Sequence, residues 1–328
     1  MVITPLLEIR NLHVGYKTHM GISKVLNGVY LTVNEGEKVG VIGESGCGKT
    51  TTMKSIHRIL PGNAIVSEGE IIFKGKDILK MKKRELTEIR RKGVTMIFQD
   101  PTAALNPVFK VSEMMTDIIK YSGIYEKNLK KEARNRALDL FEEVALSDPE
   151  RVFDSYSFQL SGGMRQRVCI AMSLAGVKQL VIADEPTTNL DVTIQAQVLS
   201  LLKSLVNEKR LSLILVSQAL GAVRETADRV YVMYAGDIVE VAKADVLFTD
   251  PLHPYTQKLL DSVPRLTGGV FSIGIKGRVP NYFNPPSGCR FYPRCDQSLN
   301  ICKDKKSPLV EVKKDHCVAC WLYRGVST

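Results

Sequence analysis

No apolar run in the 328-residue sequence approaches the ~20 residues needed to cross a bilayer. A role at a membrane must therefore come through partners. The opening stretch MVITPLLEIRNLHVGY carries acid and polar residues early and lacks the basic-then-apolar order of a signal peptide, which together with the first absence predicts a cytoplasmic chain. Collagen-like, low-complexity and disordered biases are also missing. At 44% hydrophobic the chain can bury a sizeable core, and its length suggests about two domains. A net charge of +10 would suit nucleic acid or anionic lipid, yet no unbroken basic patch supports that partner. The densest run (Lys80, Lys82, Lys83, Arg84, Arg90, Arg91, Lys92) is interleaved with Glu85 and Glu88, as on a solvated helix face. No nucleic acid is expected.

What is present is organised around Gly43-Glu44-Ser45-Gly46-Cys47-Gly48-Lys49-Thr50, where the apolar run Val39 to Ile42 meets a predicted helix. Glycines at 43, 46 and 48 let successive backbone N–H groups turn inward, and the new helix adds its positive end. The stretch reads as a phosphate-binding loop, with Lys49 reaching the outer phosphates and Thr50 supplying a hydroxyl to Mg²⁺.

Upstream, 6–10, 25–33 and 38–42 have strand composition, and the helix after Lys49 should stop near Ile59 and Leu60 before Pro61-Gly62. A shorter strand is predicted from Gly69 to Phe73. From 101 to about 177 helical periodicity takes over, with Leu129, Ala133, Ala137, Leu140, Phe141 and Val144 on one face. Strand character returns at 179–184 and 211–217, around a long helix that turns Ile194, Val198, Leu201, Leu202 and Leu205 inward. Short apolar strands alternating with amphipathic helices argue for an α/β sheet with a parallel core.

Two further motifs carry chemistry. Leu180-Val181-Ile182-Ala183-Asp184-Glu185 ends a strand on an acidic pair, in which Asp184 would hold Mg²⁺ and Glu185 would act as general base toward water. Leu160-Ser161-Gly162-Gly163-Met164-Arg165-Gln166-Arg167 opens a helix on a second anion-binding terminus. Since the chain already has a loop for its own phosphates, the second makes sense as a grip on the nucleotide of a partner subunit.

With these three motifs the sequence resembles the ATP-binding-cassette ATPases, over nearly its whole length. The resemblance implies a P-loop α/β fold with a mixed sheet core, an inserted helical subdomain (about 101–177) and a small Cys-rich C-terminal extension, divided as 1–245 and 246–328. It implies ATP and Mg²⁺ as cofactors, held by Gly43, Ser45, Gly46, Cys47, Gly48, Lys49, Thr50 and Thr51, with Thr50, Asp184 and Gln99 toward the metal. Tyr16 matches the aromatic that stacks on adenine, and Gln99 the residue that links γ-phosphate and metal to membrane subunits. Ser161, Gly162, Gly163 and Asp191 match positions that complete the partner's site; Asn189 stands where the family more often has Ala.

Finer matches, FQDPTAALNPVFKV (98–111), MYAGDIVE (233–240) and HPYTQKLL (253–260), resemble the ATPase subunits of oligopeptide and dipeptide importers, whose relatives also import oligosaccharides. That likeness implies a second, related ATPase as hetero-dimer partner, two transmembrane permeases, an extracytoplasmic substrate-binding protein, and a place on the cytoplasmic face of the membrane. The different-class alternative is a soluble cassette ATPase acting on nucleic acid or ribosomes, disfavoured by the lack of a second cassette and of a long coiled-coil insertion.

Five of seven cysteines fall between 289 and 320, and a reducing cytoplasm makes clustered thiols read first as a metal site. The spacing does not give the paired knuckles usual for structural zinc. In the importer subunits a similar segment holds a [4Fe-4S] cluster, which would select Cys289, Cys295, Cys302 and Cys320 and leave Cys317 as an extra thiol; zinc and buried thiols are the alternatives. One departure stands out. Ser217-Gln218-Ala219 replaces the family's Ser-His-Asp, whose histidine touches the γ-phosphate, so Gln218 puts full hydrolytic competence in question.

Overall fold

In chain order the strands are β1 (Leu7–Thr18), β2 (Gly21–Val33), β3 (Lys38–Ile42), β4 (Ala64–Phe73), β5 (Lys76–Asp77), β6 (Val94–Ile97), β7 (Leu180–Asp184), β8 (Ser212–Val216), β9 (Arg229–Tyr234), β10 (Asp237–Lys243), β11 (Val310–Lys313) and β12 (His316–Val318). The helices that bear on function are α1 (Lys49–His57), α2 (Val111–Ser122), α3 (Leu129–Glu143), α4 (Gly162–Leu174), α5 (Val192–Glu208) and α6 (Pro254–Asp261). The structure is a computed structural model that describes residues 4–123, 129–176, 178–188, 190–262 and 274–324. Asn189 lies outside the described residues. Two units are resolved, one from residues 1–34, 38–80 and 217–328, the other from 35–37 and 81–216.

The first unit holds an antiparallel sheet in the order β2-β1-β4-β5. Leu7, Ile9, Leu12 and Val14 of β1 are buried, and the strand continues to Thr18 because β2 pairs with it to the turn at Thr18↔Gly21. The sequence predicts only residues 6–10 there. The remainder escapes notice because register shifts around a left-handed Asn11 (φ 46°) break the alternation. Likewise β4 starts at Ala64 rather than Gly69. Gly69 sits mid-strand at φ +105°, and a Cβ on it would lie 2.6 Å from the Asn11 carbonyl oxygen, so this glycine marks a close backbone approach and not a strand end.

The same unit carries the strand order β11-β12-β10-β9-β3, in which β3 and β9 run parallel and β9 to β12 antiparallel. Four of the five β3 residues are buried, and the chain leaves β3 at Ile42 directly into the glycine loop and α1. Helix α1 ends at His57, a turn before the predicted stop, where Arg58 adopts a left-handed cap.

In the second unit β8, β7 and β6 are parallel neighbours. Every residue of β7 and β8 is buried, which explains their continuous apolar runs: strands covered on both faces do not alternate. Ala133, Ala137, Leu140, Phe141 and Val144 are all fully buried on the inner face of α3 and just past its end, as the periodicity predicts. In α5, Val198, Leu202 and Leu205 are buried while Ile194 and Leu201 are half-buried. Among the described residues no helix is long and apolar enough to cross a membrane.

Candidate functional site

The phosphate loop belongs to the first unit. Gly43 takes φ +151°, and a side chain there would meet the Met233 carbonyl oxygen at 2.1 Å, so β9 can pass the loop only if residue 43 is glycine. Gly48, at φ +110°, caps α1, and Gly236 N–H donates to the Cys47 carbonyl at 2.7 Å. Lys49 is buried, its Nζ donating to the carbonyls of Gly43 (2.8 Å) and Glu44 (3.0 Å), while Ser45 and Gly46 are exposed at the crest. Burial raises the Cys47 thiol above its ordinary range although the Lys49 ammonium pulls it down, so it stays protonated. The Thr51 hydroxyl is 3.1 Å from that of Tyr16, which places the expected adenine-stacking ring beside the first turn of α1; Thr50 is half-buried. Gln218 is exposed, and Ala219 N–H next to it donates to Ser217 Oγ at 3.0 Å.

The acidic pair belongs to the second unit. Asp184 is buried at the end of β7, and Glu185 follows in a left-handed conformation (φ 48°), with its N–H donating to the Val216 carbonyl at 2.8 Å. A glutamate gains nothing locally from positive φ, so the surrounding structure holds this backbone against its own preference. Gln99 Nε2 donates to Glu185 Oε2 at 3.0 Å, and the Thr188 hydroxyl donates to the same oxygen at 3.2 Å. Two of the expected residues are thus joined, and Thr188 orients them. The sequence reading missed Thr188, although its place three residues beyond Glu185 was the available signal.

The LSGG stretch lies in the second unit as well. Ser161 caps α4, its Oγ accepting from Met164 N–H at 3.3 Å, and Asp191 caps α5 by accepting from Ile194 N–H at 3.0 Å. A Cβ on Gly163 would come within 2.9 Å of Ile194 Cγ2, and one on Gly162 within 3.2 Å of Leu190 Cδ2. The two glycines therefore let the start of α4 lie against the start of α5. A cavity of about 960 Å³ also opens in this unit, its walls including Phe98, Leu105, Ile118, Tyr121 and Met172.

Cys289, Cys295, Cys302 and Cys320 all line one small cavity with Phe291 and Trp321, in the first unit. Cys317 does not; it lies on β12, paired with Val241 of β10. Burial pushes Cys289 up to about 12 and Cys320 to about 11, against the opposing pull of backbone N–H groups at Phe291 and Leu322. Among the described residues no three or more His, Cys, Asp or Glu converge as ligands of one metal ion, so the geometry does not reproduce the zinc alternative at these cysteines. In a four-iron cluster each iron takes its own thiolate and the sulfurs stand around a wider body. Cys289, Cys295, Cys302 and Cys320 share the lining of one cavity, and backbone N–H groups donate to the thiols of Cys289, Cys295 and Cys320, but the absence of a metal-holding group among the described residues applies to a cluster as it does to zinc.

Residues 26–188 match the family described as ABC transporter, and residues 239–302 match the one described as oligopeptide/dipeptide transporter, C-terminal region. The chain is 43% identical to the oligopeptide transport ATP-binding protein AppD of Bacillus subtilis, over 98% of each chain. It is 42% identical to the dipeptide transport ATP-binding protein DppD of the same organism, over 96% of this chain and 94% of that one. A probable peptide ABC transporter ATP-binding protein of Sinorhizobium fredii is also 42% identical, with the same coverage. Among solved structures, a dimeric ATP-binding cassette in a post-hydrolysis state bound to ADP and phosphate superposes with a TM-score of 0.65 at 28% identity, covering 73% of this chain and 98% of that one. A dimeric bacterial ABC transporter cassette gives 0.63 at 29%, with the same coverage.

Proposed function

From the premise that the chain belongs to the ABC transporter family, in the branch carrying the oligopeptide/dipeptide transporter C-terminal region, we propose that it powers peptide uptake through a multi-subunit importer. It is an ATP-hydrolysing cassette. The observation that carries the mechanism is the Gln99–Glu185–Thr188 group beside Asp184. A carboxylate at a strand end, oriented by two side-chain donors, is a group placed to take a proton from water.

The remaining residues take roles around that step. The loop from Gly43 to Thr51, with Ser45, Gly46, Cys47, Gly48 and Lys49, cradles the phosphates, and Tyr16 flanks the base. Thr50, Asp184 and Gln99 are the residues that would hold the Mg²⁺ arriving with ATP, an ion that would offset phosphate charge. Ser161, Gly162, Gly163 and Asp191 serve the nucleotide of a second, related ATPase. Residues 1–245 form the nucleotide-binding domain and 246–328 the extension. The apolar cavity walled by Phe98, Ile118 and Tyr121 suits a helix from one of two permease subunits, which hold the chain at the cytoplasmic face and receive peptide from an extracytoplasmic binding protein. The transport names of the relatives weigh against a soluble ATPase acting on nucleic acid and favour peptides over oligosaccharides. Cys289, Cys295, Cys302 and Cys320 hold a [4Fe-4S] cluster, which when bound ties four points of the extension together.

Glu185→Gln tests the mechanism. ATP should still bind, while turnover measured with the partner ATPase present should fall about 10²–10⁴-fold, the usual contribution of a positioned base. Unchanged turnover would remove Glu185 from the proton transfer.

A further inference from the structure

Three side chains from the stretch after residue 245 reach the phosphate loop within the first unit. The Arg294 side chain, 4% exposed, meets the Glu44 carboxylate on two prongs, Nη1 to Oε2 at 2.8 Å and Nη2 to Oε1 at 3.1 Å. Such a pair fixes direction as well as distance. The same guanidinium donates to the Tyr234 hydroxyl at 3.2 Å and to the carbonyls of Ile275 and Lys276 at 3.0 and 2.8 Å, so it is anchored independently of the loop. Glu44 N–H donates to the Tyr255 hydroxyl at 2.9 Å, and the Tyr282 hydroxyl donates to the Gly46 carbonyl at 2.7 Å. Tyr255 is itself fully buried and packed against Tyr234 and Phe291, at ring-centroid distances of 4.6 and 5.4 Å.

Glu44 and Gly46 are therefore held on both sides of Ser45. A glycine-rich loop binds phosphate by presenting several N–H groups at once, and a loop that must first be ordered loses affinity by the entropy of that ordering. We propose that Arg294, Tyr255 and Tyr282 are positioning residues that hold Glu44 and Gly46 in the phosphate-receiving conformation without touching the nucleotide. The proposal rests on the reading of this loop as the ATP site. It makes the C-terminal extension part of the nucleotide-binding apparatus.

The bland alternative is that these bonds only fasten the extension in place. A fastener would alter melting temperature and leave nucleotide affinity alone, whereas a positioning device raises Kd in a chain that is still folded. The experiment is a titration of the full-length protein with a fluorescent ATP analogue and Mg²⁺, beside melting curves without nucleotide. Glu44→Gln and Arg294→Lys should each weaken binding about 5–10-fold, Tyr282→Phe about threefold, and the Glu44→Gln/Arg294→Lys double variant no more than the worse single one, since both remove one interaction. Kd within about twofold of wild type in both Glu44→Gln and Tyr282→Phe would overturn the proposal. Lys49→Ala separates the two readings: if it abolishes binding while Glu44→Gln does not, positioning fails and the ATP site stands. If Lys49→Ala binds like wild type, the ATP-site reading itself fails.

Discussion

At the scale of single residues the loop glycines have unequal tasks, and that gives a ranked expectation. Gly43→Ala would drive a methyl group to 2.1 Å from the Met233 carbonyl oxygen, a backbone atom of β9 that cannot step aside. Gly48→Ala meets Leu26 Cδ2 at 2.7 Å, the far end of a side chain that can turn, and Gly46→Ala meets nothing within 4 Å although it must adopt φ +76°. Melting without nucleotide should therefore rank Gly43→Ala as most damaging, by roughly 4 kcal/mol or more, then Gly48→Ala, then Gly46→Ala at about 1–2 kcal/mol from backbone strain alone. Equal losses at 43 and 46 would show that β9 does not press on the loop as described. The places of Lys49 at the start of α1, Asp184 at the end of β7 and Ser161 at the start of α4 were legible in the sequence because glycine runs, apolar strand composition and a small residue opening a helix are local signals. Arg294 was not: its carboxylate partner Glu44 lies 250 residues away, and no periodicity or spacing rule spans that distance.

At the scale of elements the same division appears between the helices and the strands and cysteines. The inner face of α3 could be read in advance because a 3.6-residue repeat of apolar residues is a local signal, and Ala133, Ala137, Leu140 and Phe141 are buried as expected. The reach of β1 and β4 could not, since it depends on pairing partners and on bulges at Asn11 and Gly69. The cysteine segment falls between: its residues are visible in the sequence, while the cavity that gathers four of them is set by Phe291, Trp321 and the start of α6. Protein purified anaerobically should be brown, absorb broadly near ~400 nm and carry about four irons per chain. Ser in place of Cys289, Cys295, Cys302 or Cys320 should bleach it, whereas Cys317→Ser, on the β12 ladder, should not. Stoichiometric zinc, or colour that depends on Cys317, would refute this choice of ligands.

At the scale of the whole molecule the proposed hetero-dimer raises the question of which of its two ATP sites does the work. Gln218 stands where the resemblance to the wider family implies a histidine, and the side chain is exposed after the turn made by Ser217 Oγ and Ala219 N–H. A histidine at a γ-phosphate can donate a hydrogen bond and shift its proton as charge develops, while a glutamine amide offers fixed donors and an acceptor with nothing to titrate. Loss of one well-placed stabilising group typically costs ~10²–10³-fold in rate, and less where the amide covers part of the role. In the proposed hetero-dimer the slow site would be the one using Lys49, Asp184 and Glu185 of this chain, and the fast one would borrow its Ser161 to Gly163. Three measurements are tied together by that asymmetry. The chain alone should hydrolyse ATP slowly, Gln218→His should speed it, and in the complex Glu185→Gln should cost less than the matching change in the partner. If Gln218→His and Gln218→Ala both leave the rate where it started, Gln218 is a bystander and the two sites must be distinguished by some other pair of residues.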